Sequence, residues 1–219
     1  MNEHRSQLIT FAVALIACLA AAAPALAAQP AAVSAQFDGE LLVAEDAPAF
    51  LFSGTILVAS DKMKIDVVQQ ATLEHALILV DFTAGLLTIL YPDTLNGQRY
   101  KLEEFDHLQG FARIRDALDG IQPELPPGWE ETANEKTQLD GVDCTFLSAL
   151  SPDGLAVELW TGTDNLPLRA TAKQATISVV ITTHDFEPVD SLDDSAFLIP
   201  EGYTVSDAEE DAPAGLPQL

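Results

Sequence analysis

The residue types that could carry out chemistry are scattered along this chain and form no recognisable catalytic pattern. His75, His107 and His184 are far apart on different predicted elements, and no pair of them has zinc-ligand spacing. The sequence also lacks the Gly-x-Ser-x-Gly turn of a serine hydrolase, the glycine-rich loops that hold phosphates and the His-Glu-x-x-His helix of a metalloprotease. The sequence therefore predicts neither a metal nor a cofactor.

Acidic side chains offer two further options. Asp190, Asp193 and Asp194 cluster and could bind calcium, but they lack the glycine and the terminal glutamate of an EF-hand loop, so we expect a solvated turn. Asp81 and Glu158 could serve a hydrolase, but single acids on strand-like segments more often face water. We therefore expect that the protein is not an enzyme and place a hydrolase third among the hypotheses below.

The N-terminal segment has the pattern of a secretory signal peptide. A charged start precedes an apolar run from Leu8 to Ala23, and small residues at Ala25 and Ala27 mark a cleavage site before Ala28. The apolar run is shorter than the ~20 residues that a membrane-spanning helix needs. We expect residues 1–27 to be the signal peptide of an exported, periplasmic protein.

A second cleavage site competes with the first. Leu15-Ile16-Ala17-Cys18 fits a bacterial lipobox, and cleavage there would make Cys18 the lipidated N-terminus of a membrane-tethered lipoprotein. We favour the soluble form, because the residues after Cys18 are apolar whereas a lipoprotein tether is polar. The other cysteine, Cys144, alternates with polar neighbours and is expected to be a small core residue. It is the one cysteine left after cleavage before Ala28, so no internal disulfide is predicted.

The chain is strongly acidic. It has 10 Lys and Arg against 34 Asp and Glu, a net charge of −24 at pH 7. Such a surface repels nucleic acid and anionic lipid headgroups at long range, so no nucleic-acid partner is expected. We expect the acidic residues to serve solubility. They do not exclude binding of a lipid tail in an apolar cavity.

Alternating apolar and polar residues predict eight to ten strands, and one segment has a helical period. Gly54 is interpreted as a bulge or bend in the second strand, and Asn96-Gly97 as the strongest turn signal. Residues 103–121 have an apolar stripe that predicts an amphipathic helix. The expected fold is mainly β (α+β), a curved antiparallel sheet or unclosed β-barrel with that helix covering the concave face.

Three sequence motifs carry a family resemblance. The first motif, from Gly54 to Asp66, reads as a Gly-x-Ile-x-Val strand followed by Asp-Lys-Met-Lys-Ile-Asp. The second, from Trp160 to Arg169, contains an aspartate turn and a proline. The third, from Asp194 to Tyr203, reads Asp-x-x-Phe-x-Ile-Pro-x-Gly-Tyr. The sequence thus resembles the outer-membrane lipoprotein carrier (LolA-like) superfamily, close to its uncharacterised exported members. The resemblance implies an unclosed β-barrel with an apolar cavity that accepts acyl chains, here residues 36–205 between a tether at 28–35 and an acidic disordered tail at 206–219.

The candidate site is an apolar cavity that binds a lipid or a lipoprotein acyl chain. Lys64 stands where relatives usually carry arginine and is the candidate headgroup or switch residue. The expected cavity lining is Phe50, Phe52, Ile56, Val58, Met63, Ile65, Leu87, Ile89, Trp160, Ile177 and Val179. The alternative is that these side chains pack against each other, and that the protein is an interaction or sensor domain for envelope proteins without a lipid load. With either function we expect a monomer.

The first prediction concerns processing. We expect the secreted protein to begin at Ala28, because the peptidase accepts the small residues Ala25 and Ala27. Intact-mass measurement of the exported protein tests this. An acylated species beginning at Cys18 would contradict it and show a membrane-tethered lipoprotein.

Overall fold

Twelve β-strands and one 3-10 helix make up the described part of the chain. The computed structural model describes residues 32–43, 49–59, 61–102, 128–152, 154–162, 167–189 and 193–208. The 3-10 helix is Asp194–Phe197, capped by the side chain of Asp193. The strands are β1 Ala32–Leu42, β2 Phe50–Ala59, β3 Lys62–Gln69, β4 His75–Asp81, β5 Leu86–Tyr91, β6 Asn96–Lys101, β7 Glu130–Leu139, β8 Val142–Leu150, β9 Ala156–Gly162, β10 Pro167–Gln174, β11 Ile177–Val189 and β12 Thr204–Asp207.

All twelve strands belong to one sheet, in the order β12-β6-β5-β4-β3-β2-β1-β11-β10-β9-β8-β7. Every pair is antiparallel except β12 with β6, which is parallel. Within the described ranges, the edge strands β7 and β12 do not pair, so the sheet is unclosed. The mainly β, unclosed architecture is confirmed, but the described residues hold twelve strands rather than eight to ten.

Strand β1 joins the two halves of the sheet. On one side it pairs with β2, the first of a run of five hairpin-connected strands, and on the other side it pairs with β11, far along the chain. Local turns fix most of the strand pairs, whereas the β1–β11 pair is non-local and its formation requires closure of a long loop.

The two faces of the sheet differ in composition, because successive side chains of a strand point to opposite sides. We call inner face the side that carries Phe37, Phe52 and Ile65 and outer face the other side. The inner face carries one buried apolar cluster, formed by Ala35, Phe37, Leu41, Phe52, Ile56, Met63, Ile65, Val67, Ala76, Ile78, Val80, Leu87, Ile89, Tyr100, Leu159, Ala170, Val179 and Ile181.

Two phenylalanines and two glycines interlock where β1 meets β2. Phe37 pairs with Gly54, and Gly39 pairs with Phe52. The two rings lie 6.2 Å apart at 60°. A Cβ atom at Gly39 would overlap the Phe52 ring, and one at Gly54 would overlap the backbone carbonyl oxygen of Asp66 and lie 2.9 Å from Cζ of Phe37. The Phe52 ring thus excludes a side chain at Gly39, and the Phe37 ring together with the β3 backbone excludes one at Gly54.

The C-terminal motif covers part of the outer face. Ile199, Tyr203 and Val205 pack against a second cluster of Leu77, Leu79 and Leu90 on β4 and β5. The same segment continues into β12, and the amide of Thr204 donates a hydrogen bond to the carbonyl oxygen of Leu95. This cover explains why β4 is apolar on both faces, whereas β3 beside it carries lysines and an aspartate on its outer face.

Two interpretations of glycine were wrong. Asn96 and Gly97 are the first residues of β6 and not a turn, which instead lies at residues 92–95. Gly97 is needed because a Cβ there would lie 2.5 Å from Leu90 Cδ2 and 3.2 Å from Val205 Cγ2. Gly54 forms no bulge, since β2 pairs with both of its neighbours without a register shift. The dipeptide Asp140-Gly141 does form a turn, between β7 and β8, with φ of 52° and 83°.

The element boundaries differ from the expectation at both ends. Strand β1 begins at Ala32, inside the predicted tether, and β12 extends to Asp207, inside the predicted tail. The predicted signal peptide at 1–27 and the predicted covering helix at 103–121 lie outside the described residues. Among the helices of the described ranges, none is long and apolar enough to cross a membrane.

The interlock generates a stability prediction. Gly39→Ala should lower the free energy of unfolding by about 1–3 kcal/mol, because the new methyl group collides with the Phe52 ring. In a Phe52→Ala background, which itself loses about 3–5 kcal/mol, Gly39→Ala should be neutral or stabilising because the ring is gone. Denaturant unfolding of the four proteins measures the coupling.

The matched control for this cycle is Phe37→Ala. Its ring lies over Gly54 and not over Gly39, so it should leave the penalty of Gly39→Ala unchanged. Equal penalties for Gly39→Ala in the parent and in Phe52→Ala would contradict the interlock.

Candidate ligand-binding face

The inner face is uncharged across nine strands. From β1 to β6 and from β9 to β11, no described residue at an inner position is Asp, Glu, Lys or Arg, whereas β8 carries the exposed Asp143 at an inner position beside the turn to β7. The polar inner positions hold amides or hydroxyls, as at Gln69, Gln98 and Thr183. In a chain of net charge −24 this separation leaves an apolar surface that a hydrophobic ligand could contact.

All but one of the predicted cavity residues lie on this inner face. Phe52, Ile56, Met63, Ile65, Leu87, Ile89 and Val179 are buried within its cluster. Phe50, Val58 and Ile177 are partly buried and pack against the cluster near strand ends. Whether these side chains contact a ligand or only each other stays a prediction.

Trp160 is the exception and lies on the outer face. Its neighbour Leu159 occupies the inner position of β9, so alternation turns the indole to the other side. The Trp160 ring lies 4.9 Å from the Phe146 ring, and the guanidinium carbon of Arg169 lies 5.6 Å from the Trp160 ring centroid, a cation–π distance. The sequence signal that would have placed Trp160 on the outer face is the alternation of the apolar residues Val157 and Leu159.

Lys64 also lies on the outer face. It is half-buried in β3, opposite Leu57 of β2 and Leu79 of β4. A headgroup role for Lys64 therefore requires a ligand that reaches the outer face, and this role stays a prediction.

A β-bulge adds Phe186 to the inner face. The β1–β11 register shifts between Ser34 and Gln36, where β11 holds one extra residue. Asp185 has φ of 53° at this point, the left-handed conformation in which Asp is enriched among non-glycine residues. The extra residue inverts the alternation, so that Phe186 packs against the inner cluster although it has the parity of outer residues. Regular alternation could not predict this.

Two tyrosines supply hydroxyl groups on the inner face without charge. The Tyr100 hydroxyl donates a hydrogen bond to Gln98 Oε1 at 2.6 Å. Burial, and to a lesser degree Tyr91, raise the pKa of Tyr100 to about 12. The phenol therefore stays neutral at physiological pH and keeps this part of the face uncharged.

The other metal-ligating, nucleophilic and acidic side chains singled out in the sequence have structural roles. Among the described residues, no group of three His, Cys, Asp or Glu could hold a metal ion. Cys144 is free and buried, as expected of a small core residue. Asp81 accepts a hydrogen bond at 2.7 Å from the backbone amide of Ala84 in the turn after β4.

His184 links the bulge to β1 on the outer face. Its Nδ1 lies 3.0 Å from Asp185 Oδ2, and its Nε2 lies 3.2 Å from Asp38 Oδ2. The hydrogen bond to Asp185, together with Asp38, raises the pKa of His184 above its ordinary value of 6.5, against a smaller effect of desolvation. The protonated ring can donate to both carboxylates at once.

Comparisons with known proteins agree with the fold at low sequence identity. No protein-family model and no curated protein matches the sequence. The crystal structure of an uncharacterised conserved protein from Thermus thermophilus matches with a TM-score of 0.54 at 11% identity, covering 81% of this chain and 90% of that one.

Two further solved structures are similar at lower TM-scores. A LolA superfamily protein from Nitrosomonas europaea has a TM-score of 0.41 at 12% identity over 82% of this chain and 96% of its own. The lipoprotein LppX from Mycobacterium tuberculosis has a TM-score of 0.42 at 13% identity over 83% of this chain and 96% of its own.

The histidine cluster predicts a pH dependence. Because the pKa of His184 is higher in the folded than in the unfolded protein, its stabilisation is fully present below pH 6.5 and is lost as pH rises through the folded pKa. The effect should stay below about 1 kcal/mol, since these side chains are about half exposed. Denaturant unfolding of the parent and His184→Gln between pH 5 and 8 should show the parent's advantage at the acid end.

Asp185→Asn is the matched control for this prediction. Asparagine tolerates the left-handed backbone but removes the carboxylate that contributes most to the raised pKa, so most of the pH dependence should disappear. A difference between the parent and His184→Gln that is the same at every pH would contradict the mechanism.

Proposed function

We propose that this chain is an exported, non-enzymatic protein that binds a hydrophobic ligand, a lipid or a lipoprotein acyl chain, on the inner face of its sheet. The carrying observation is the absence of charged residues from the inner positions of β1 to β6 and β9 to β11 in a strongly acidic chain. Apolar burial is non-directional and scales with the area removed from water, so such a face suits an acyl chain better than a polar substrate.

The accessible part of the inner face limits where a ligand would bind. The centre of the cluster is closed, since Ile65 and Ile89 are 0% and 2% exposed. Ile177 and Phe50 lie at the same end of the strands, on β11 and β2, which flank β1 on its two sides, and both are only partly buried. A ligand would therefore contact this end of the inner face first.

The closed centre also favours a second candidate function. Side chains at 0–2% exposure are those of an ordinary core, which the chain fills by itself. In that case the protein would be an envelope interaction or sensor domain without a lipid load. Probe binding separates the two functions.

The test is titration with a fluorescent fatty-acid probe. The parent should bind the probe, and Ile177→Trp should bind it several-fold more weakly, because the indole occupies inner-face space at the partly buried end of the strands. Val180→Trp is the matched control on the outer face of the same strand and should bind the probe like the parent.

A stability measurement completes the test. Ile65→Trp should lose about 1–3 kcal/mol, because Ile65 has no free space around it. Ile177→Trp should lose less than Ile65→Trp if its surroundings are open. A parent that binds no apolar probe would contradict ligand binding and leave the interaction domain as the function.

A further inference from the structure

One end of the sheet presents an apolar rim. Five of the seven large apolar side chains that are exposed in the described residues lie there, namely Leu150 at the end of β8 and four others along or between the strands from β1 to β6. The pairing of Leu41 with Phe50 and the turns after β3 and β5 bring these four to the same end of their strands. We call these four the leucine rim: Val43, Leu51, Leu73 and Leu95, which are 37%, 46%, 72% and 50% exposed.

Two rim residues also have an unfavourable backbone conformation. Leu73 in the β3–β4 turn has φ of 57°, and Leu95 in the β5–β6 turn has φ of 51°. This left-handed region favours Gly and Asn, and a branched side chain there is disfavoured. The turns at the opposite end use the ordinary residues instead, namely Gly85 at φ 67° and Asp140-Gly141.

Fold stability does not explain these leucines. Each would gain from burial, yet Leu73 and Leu95 are among the most exposed apolar side chains of the described residues. Glycine or asparagine would suit both turns better in water. Single exposed leucines are common on protein surfaces, but leucines at two turn tips of one end, in a conformation that disfavours them, indicate selection for contact with an apolar phase.

We propose that the leucine rim inserts into the interfacial region of a zwitterionic lipid bilayer. Separate turn tips can each enter a fluid phase that adapts to them, much as interfacial apolar residues do. The net charge of −24 excludes electrostatic attraction to an anionic surface, so the bilayer chemistry that fits is neutral. This docking goes beyond the proposed function, because it requires no ligand on the inner face.

The test is flotation of the protein with vesicles of pure phosphatidylcholine. The parent should float with them, and the double variant Leu73→Asn plus Leu95→Asn should bind at least tenfold more weakly, because two apolar side chains no longer enter the bilayer. Asparagine suits the left-handed backbone, so the variant should remain folded and unfold at equal or higher denaturant concentration. Every protein carries Cys18→Ser, so that a lipid anchor cannot contribute.

Val142→Asn is the matched control, since Val142 is 53% exposed at the opposite end of the strands. It should float like the parent, and vesicles with about 30% phosphatidylglycerol at low salt should bind the parent more weakly than pure phosphatidylcholine. A parent that does not float, a double variant that floats like the parent, or binding to anionic vesicles alone would each overturn the proposal.

Two further readouts separate the alternatives. If the double variant instead abolishes a concentration-dependent dimer seen by sedimentation without vesicles, the rim is an interface between copies of this chain, and bilayer docking is wrong. The fatty-acid titration is done without vesicles, so failure of ligand binding on the inner face is recognised independently of rim docking.

Discussion

The fold depends on the close contact between β1 and β2, where two phenylalanine rings occupy the space above two glycines. Strand β1 is the place where the N-terminal hairpins meet the C-terminal strands, so any shift of its register would misplace both halves. Because the side-chain period of a strand is two, a slip by one residue would move Phe37 to the outer face. It would also bring side chains against the rings in place of Gly39 and Gly54, which specifies the register sterically.

The bulge opposite β1 is the second determinant of what faces inward. One extra residue at Asp185 lets β11 present Ile181 and Phe186 to the same face although their numbers differ in parity. The same bend holds His184 between two carboxylates on the outer face. The β11 bulge thus adds an apolar residue to the inner face and places the pH-sensitive His184 contact on the outer face.

Charge separation between the two faces connects the fold to the proposed function. Burying an unpaired charge is expensive, so the part of the inner face without charged residues, on β1 to β6 and β9 to β11, can be desolvated by core packing or by an acyl chain alike. The net charge of −24 discourages contact with anionic surfaces. Leu73 and Leu95 at one end are exposed apolar residues that lie on turns rather than on the sheet.

The sequence by itself determined the strand character, most of the inner-face residues, the buried state of Cys144 and the Asp140-Gly141 turn, because these follow from local alternation and local backbone preference. The tertiary structure decided what depends on distant partners. It placed Gly97 under Leu90 rather than in a turn, and it brought Phe186 inward through a bulge. A glycine signals only that a side chain is excluded. Whether a turn or a neighbouring ring excludes it depends on strand pairing across many residues, which local periodicity does not contain.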